Sequence, residues 1–159
     1  MLHPGVVQSG LASASQPVVE RMIAERLGGE TVIGRKVESL NDLVVAITAG
    51  LPIEAWEQVR RSGRFTQQEL DAVIPPRTLR HRKAHGRRLT ADESDRAVRL
   101  LRLQASAELV FGDVEKADLW LRRPMAHLDG KRPLELAATE AGARLVEGVL
   151  DGIAWGTAA

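Results

Sequence analysis

The sequence predicts an all-α protein, and three observations carry that prediction. Apolar residues recur at helical spacing along most of the 159-residue chain. Thr stands three positions before Glu at Thr66–Glu69 and at Thr90–Glu93, the spacing at which a hydroxyl and a carboxylate satisfy each other's free backbone N–H groups at a helix start. No stretch alternates apolar and polar residues with period two, and only 3% of the residues are aromatic, so the material of a sheet is missing.

The elements follow in order. Residues 1–37 mix Gly, Ser, Ala and Pro with one short helical segment, from about Val18 to Leu27, and are expected to form an N-terminal arm. Leu40, Leu43, Val44 and Ile47 then recur at helical spacing and Gly50 closes the element. Pro52 opens a second helix, with Ile53, Trp56 and Val59 on one face and Gly63 as its stop. The capping pair at Thr66 starts a short helix that runs to about Ile74, where Pro75-Pro76 breaks it. Pro76 begins the next helix, through Leu79 to about His85, and Gly86 ends it.

The capping pair at Thr90 opens the longest helix, to about Phe111, with Asp92 and Asp95 at the positive end of its dipole. It carries two apolar stripes, Val98, Leu101, Ala105, Leu109 and Leu100, Leu103, Ala107, Val110, which marks it as a central strut or a dimer seam. Asp113 caps a helix bearing Leu119, Trp120 and Leu121, which Pro124 stops. After a loop at Asp129-Gly130, Pro133 starts a short turn with Leu134 and Leu136. Thr139 caps the last helix, whose stripe is Leu145, Val146, Val149, Leu150 and Ile153.

Charge is distributed unevenly under a net value of only +1. Arg77, Arg80, Arg82, Lys83, Arg87 and Arg88 crowd residues 77–88, which hold no acid. The layout is that of a helix-turn-helix: a short capped helix, a tight turn, and a second helix loaded with Arg. Arg77, Arg80, His81 and Ala84 fall at i, i+3, i+4 and i+7 and share one face, while Leu79 points to the core. Arg77 and Arg80 suit guanine edges, Thr78 a base or a phosphate, and Lys83, Arg87 and Arg88 the phosphate backbone. The competing reading is a merely solvated cationic helix. His81 and His85 lie one turn apart, but with no third ligand and six cations beside them a metal is disfavoured.

The chain has no cysteine, which excludes disulfides, thiolate metal sites and thiol nucleophiles and fits a reducing cytoplasm. Its start lacks the basic and apolar regions of a signal peptide, and no stretch reaches spanning length, so a soluble cytoplasmic protein is expected. A P-loop, a G-x-G-x-x-G after a strand, a G-x-S-x-G elbow and an H-E-x-x-H pair are all missing. The carboxylates Asp92, Glu93 and Asp95 are accounted for by helix capping. The expectation is a protein without catalysis, cofactor or metal.

From about Leu51 onward the sequence resembles the Xre/MbcA/ParS-type antitoxins, partners of RES-domain toxins. The motifs that carry the resemblance are L-T-x-x-E-S-D-R at the start of the long helix, F-G-D followed by W-L-R-R-P, and P-L-E-L with T-E-x-G-A-R-L-V-E-x-x-L near the end. The chain departs from the family pattern at Pro124-Met125, where relatives often have Pro-Asn, and at Leu150-Asp151-Gly152-Ile153, where an Arg is usual.

The resemblance implies an Xre-like helix-turn-helix bundle over residues 38–88, followed by a small helical toxin-binding domain over residues 89–159. It implies a homodimer within a larger complex, neutralisation of an NAD-consuming RES toxin by a C-terminal segment that blocks the toxin's active site, and repression of its own operon. Operator contacts fall on Arg77, Thr78, Arg80, His81, Lys83, Arg87 and Arg88. Toxin contacts centre on Ile153, Trp155, Gly156 and the tail to Ala159, supported by Gly130, Pro133, Leu134, Thr139 and Gly142. Trp155 has two readings from the residues alone, a core side chain or a contact at a frayed end. The alternative function is a stand-alone helix-turn-helix regulator or a protein-localisation adaptor.

Overall fold

The computed structural model describes residues 9–156. Its organising element is α7, Ala91–Phe111, whose Ala97, Val98, Leu100, Leu101, Leu103, Ala105 and Ala107 are all buried. A helix apolar on most of its circumference is stable in water only when neighbours cover it on several sides. Those neighbours are α1 (Ser9–Arg26), α3 (Leu40–Ala49), α5 (Gln67–Val73), α8 (Val114–Arg122) and α9 (Glu140–Ala154), together with a 3₁₀ turn at Pro133–Ala138. The two stripes of α7 are thus the seam of a bundle, and α7 is its strut. Among the described residues there is no strand, and no helix is long and apolar enough to cross a membrane.

Capping chemistry sets the helix boundaries. The hydroxyls of Ser39, Thr66 and Thr90 accept from the N–H groups of Asp42, Glu69 and Glu93, and each carboxylate accepts in return from the cap residue's N–H. Asp113 and Thr139 cap α8 and α9 through Lys116 and Gly142. Between α3 and α5 lies α4, Ile53–Arg61, which buries Ile53, Trp56 and Val59 as its spacing requires. Pro76 opens α6, Pro76–Ala84, which packs on α4.

Two expectations change. The segment ahead of residue 38 is helical from Ser9, earlier than Val18, and a second short helix, α2 (Gly29–Ile33), follows it. This region is packed, with Ile23, Leu27, Ile33 and Val37 in the core, because α1 lies against α7 and covers a side the remaining helices leave open. Only its first residues lie outside those described. The second change concerns which face of a helix is inside: Leu40, Val44, Leu109 and Leu145 belong to predicted apolar stripes, yet all are exposed, and so is Leu119, at 73%. Periodicity finds an apolar face but not the neighbour that would cover its edge.

Buried polar groups tie the halves together. Arg99 on α7 is only 8% exposed, and its guanidinium donates to Asp95, to Glu140 at 3.2 Å and to the carbonyls of Ala137 and Ala138. Arg102 reaches Glu147 at 2.5 Å and Glu140 at 3.3 Å, so α9 is bound to α7 through two arginines. Burial disfavours the Glu140 carboxylate, but the cations Arg102, Arg144 and Arg99 outweigh it and hold its pKa below the ordinary value.

Candidate nucleic-acid and partner interfaces

α5 and α6 form two short helices joined across Ile74, extended in backbone conformation, and Pro75, at φ −57° and ψ 143°. Pro75 cannot continue α5, and Pro76 starts α6 where a missing N–H costs nothing. Leu70, Ile74 and Leu79 fill the angle between the helices from the inside. With Leu79 inward, Arg77, Arg80, His81 and Ala84 are exposed on the outer face of α6, as the spacing predicts.

The cations of this region fall into two groups. Among the described residues Arg77, Arg80 and Arg87 have no side-chain hydrogen bond or ion pair, and all three are exposed. Lys83 is also exposed, but its ammonium sits 2.8 Å from Glu57 on α4. Burial works against the Glu57 carboxylate, while Lys83 and then Arg60 and Arg61 lower its pKa below the usual range. Arg88 donates through Nε to the Gly50 carbonyl at 2.8 Å, leaving the rest of its guanidinium toward a groove of about 480 Å³ that Arg61, Lys83 and Arg87 also line. Thr78 is half-buried.

Arg82, on the opposite side of α6, is structural. It pairs at 3.1 Å with Glu93, the capping carboxylate of α7. Burial penalises that carboxylate, yet the Thr90 N–H and Arg82 together hold its pKa below the ordinary value. The His81 and His85 rings lie with centroids 4.3 Å apart and planes tilted by 41°, and His85 Nδ1 bonds the His81 carbonyl at 2.9 Å. Among the described residues no group of three or more metal-ligating side chains assembles.

The loop leaving α6 is stitched to the junction between α3 and α4. Leu89 N–H donates to the Leu51 carbonyl at 3.0 Å, and Leu51 N–H donates to the buried Ser94 hydroxyl at 2.8 Å. Gly50 has φ of 83°, and a Cβ there would lie 2.2 Å from the Leu89 carbonyl oxygen, so only glycine allows this approach.

At the other end, the predicted toxin-facing residues separate by role. Pro133 and Leu134, both expected as contact residues, are buried against α7 and α9 and face the protein's own interior. Thr139 is spent on the α9 cap. A Cβ on Gly142 would lie 2.2 Å from the Leu136 carbonyl oxygen, so this glycine lets α9 sit on the 3₁₀ turn. Gly130 takes φ of 73° in the loop after Leu128. Ile153 is half-buried, and Trp155 and Gly156 are exposed at the end of α9; Ala159 lies outside the described residues.

Sequence reasoning placed Ile153 with Trp155 but missed the other exposed apolar groups that accompany them. Leu145, Val149 and Ile153 stand one turn apart beside the buried Val146 and Leu150, and form a partly exposed strip along α9. Val114 and Leu119 are exposed on α8. The available signal was an apolar stripe wider than one packing partner needs.

The fold and these surfaces define a helix-turn-helix protein extended by a second helical unit. Residues 42–102 match the Antitoxin Xre-like helix-turn-helix domain, and residues 106–156 match the Antitoxin Xre/MbcA/ParS C-terminal toxin-binding domain. The chain is 38% identical over 110 residues to the antitoxin Xre of Pseudomonas putida, covering 69% of each chain. It is 32% identical over 104 residues to the antitoxin Xre of Yersinia enterocolitica, covering 64% of this chain and 70% of the relative. The chain belongs to the Xre family of antitoxins, which are not enzymes, and it carries that family's DNA-binding fold. The two matched regions meet inside α7, whereas the sequence expectation divides the chain ahead of that helix, between residues 88 and 89.

Proposed function

We propose that this protein is the antitoxin of a type II pair that acts in the cytoplasm, neutralises a RES-domain, NAD-consuming toxin with its C-terminal region, and represses its own operon through α6. The observation that carries this reading is the presence, in one chain, of two exposed surfaces of opposite chemistry: unpaired arginines on α6, and an apolar strip on α9 that ends at Trp155. Arg77 and Arg80 are free to reach base edges from a helix in the major groove, while Arg87, Arg88 and Lys83 face the backbone phosphates. The segment Ile153 to Ala159, led by Trp155, enters and blocks the toxin's active site. The complex contains the antitoxin as a homodimer.

The test is co-expression with the neighbouring toxin gene. Removing residues 153–159 is expected to restore toxicity and NAD loss while binding to the upstream DNA persists; full protection by the shortened chain would refute the role of the tail. Arg77→Ala with Arg80→Ala is expected to release the promoter and leave neutralisation intact, and a promoter that stays repressed would remove α6 as the reader.

A further inference from the structure

Arg122 lies on α8, within the region matched by the toxin-binding domain, but its guanidinium points into the helix-turn-helix. Nε donates to Glu69 Oε1 at 2.8 Å and Nη2 to Glu69 Oε2 at 3.0 Å, a bidentate pair. Nη2 also donates to the Arg64 carbonyl at 3.0 Å. Glu69 is the capping carboxylate of α5: its Oε2 accepts from the Thr66 N–H at 2.9 Å. One carboxylate therefore holds both the start of α5 and the fork of Arg122. Among the described residues this is the polar side-chain contact that joins α5 to another helix.

A second strap runs the other way. Arg64, two residues before Thr66, sends its guanidinium to Glu108 on α7 at 2.6 Å and to Asp118 on α8 at 3.2 Å. Arg26 on α1 joins the same Glu108 and reaches Gln104 at 3.0 Å. The cluster is partly shielded, with Arg122 28% and Glu69 19% exposed at their side chains, so its charge-assisted bonds are only moderately screened. Hydrogen bonding to Glu69 raises the pKa of Arg122, against its burial, as a held ion pair does.

We propose that Arg122 is a positioning residue for DNA binding: a side chain of the toxin-binding domain that fixes α5, and through the Pro75-Pro76 turn sets the angle at which α6 is presented. The helix-turn-helix is then incomplete without α8. This inference rests on the DNA-binding reading above.

The experiment measures binding of the full chain to a duplex of the DNA immediately upstream of its own reading frame, across a series of salt concentrations. Arg122→Ala is expected to weaken binding about tenfold, which corresponds to ~1.4 kcal/mol. Its salt slope should match that of the unaltered chain, whereas Arg87→Ala should lower the slope by about one, as loss of a phosphate contact does. Arg122→Lys keeps the charge but not the fork and should restore part of the affinity. Glu69→Gln combined with Arg122→Ala should cost less than the sum of the two single changes. Hydrogen exchange of the α5 amides should speed up in Arg122→Ala and in Arg122→Lys while α9 amides and toxin neutralisation stay unchanged.

Unchanged affinity in a folded Arg122→Ala chain overturns the proposal, and so does a salt slope lower by one, which would make Arg122 a direct phosphate contact. If Arg122→Ala does not fold, unchanged α5 exchange in Arg122→Lys overturns it. Failure of the unaltered chain to bind the duplex at any salt concentration overturns the DNA-binding reading and this proposal with it.

Discussion

α6 and α9 are both amphipathic helices with an outward face, yet they treat charge in opposite ways. On α6 the outward arginines, Arg77 and Arg80, have no protein partner among the described residues. On α9 the carboxylates of Glu140 and Glu147 are bound by Arg99, Arg102 and Arg144, and what faces solvent includes Leu145 and Trp155. A surface that leaves cations unspent attracts a polyanion, and one that spends its charges internally and exposes apolar atoms suits another protein. Arginine content alone does not distinguish these cases; the partner of each arginine does.

The sharpest way to break this contrast is to remove Arg77 and Arg80 together. Each bidentate base contact is worth roughly 1–3 kcal/mol, so the double Ala variant should lose about 2–6 kcal/mol of operator affinity. Its thermal stability should change by no more than ~0.5 kcal/mol per site, because neither side chain supports the fold. A large fall in Tm would show these arginines to be structural and erase the difference between the helices.

Arg99→Ala is the complementary change. It strips a buried guanidinium from Glu140, Asp95 and two carbonyls, and should destabilise the fold by about 3 kcal/mol in chemical denaturation. Operator affinity of the remaining folded protein should be unaltered. A stable Arg99→Ala chain would mean that α9 does not depend on these pairs.

Trp155→Ala follows in size. Half of this side chain is already in water, so its loss should shift stability by under ~1 kcal/mol, while toxin affinity falls by about 2 kcal/mol if it is the anchor of the interface. Equal affinity of both chains in calorimetric titration with the toxin would move the contact to Leu145 or Leu119.

The smallest effect is in pH. Glu140 ionises more readily in the folded chain than in the unfolded one, so it adds stability above the unfolded carboxyl pKa and loses that contribution as pH falls through the folded value. Glu140→Gln should flatten the acid side of the profile of unfolding free energy against pH by under ~1 kcal/mol, since the carboxylate is 44% exposed. Glu93 has the same sign at the α6 side, through Arg82 and the Thr90 N–H. An unaltered acid slope in Glu140→Gln would show that Arg99 and Arg102 hold α9 by other contacts.

What was legible in the sequence is what is decided locally. α5, α6 and α7 begin where Thr66, Pro76 and Thr90 predict, because caps and prolines act on their own backbone neighbours. The exposed row on α6 was readable for the same reason, with Leu79 fixing which side is inward. What stayed hidden depends on distant residues. Nothing near Leu119 says that no helix covers it, and nothing near Arg122 says that Glu69, 53 positions earlier, receives it. The packing of residues 18–37 was missed because its cause, the open side of α7, is made by later elements.

The stitching of Leu51 to Leu89 and Ser94 has a kinetic consequence. α6 enters from a rigid diproline and leaves through a loop anchored at Gly50 and Leu51, so both of its ends are fixed before any DNA arrives. If α6 is the DNA-facing helix, as proposed, little conformational entropy remains to be lost on docking, and the encounter with a duplex should be governed by diffusion and long-range charge attraction. Association rates should then follow ionic strength closely, with no slow isomerisation after first contact.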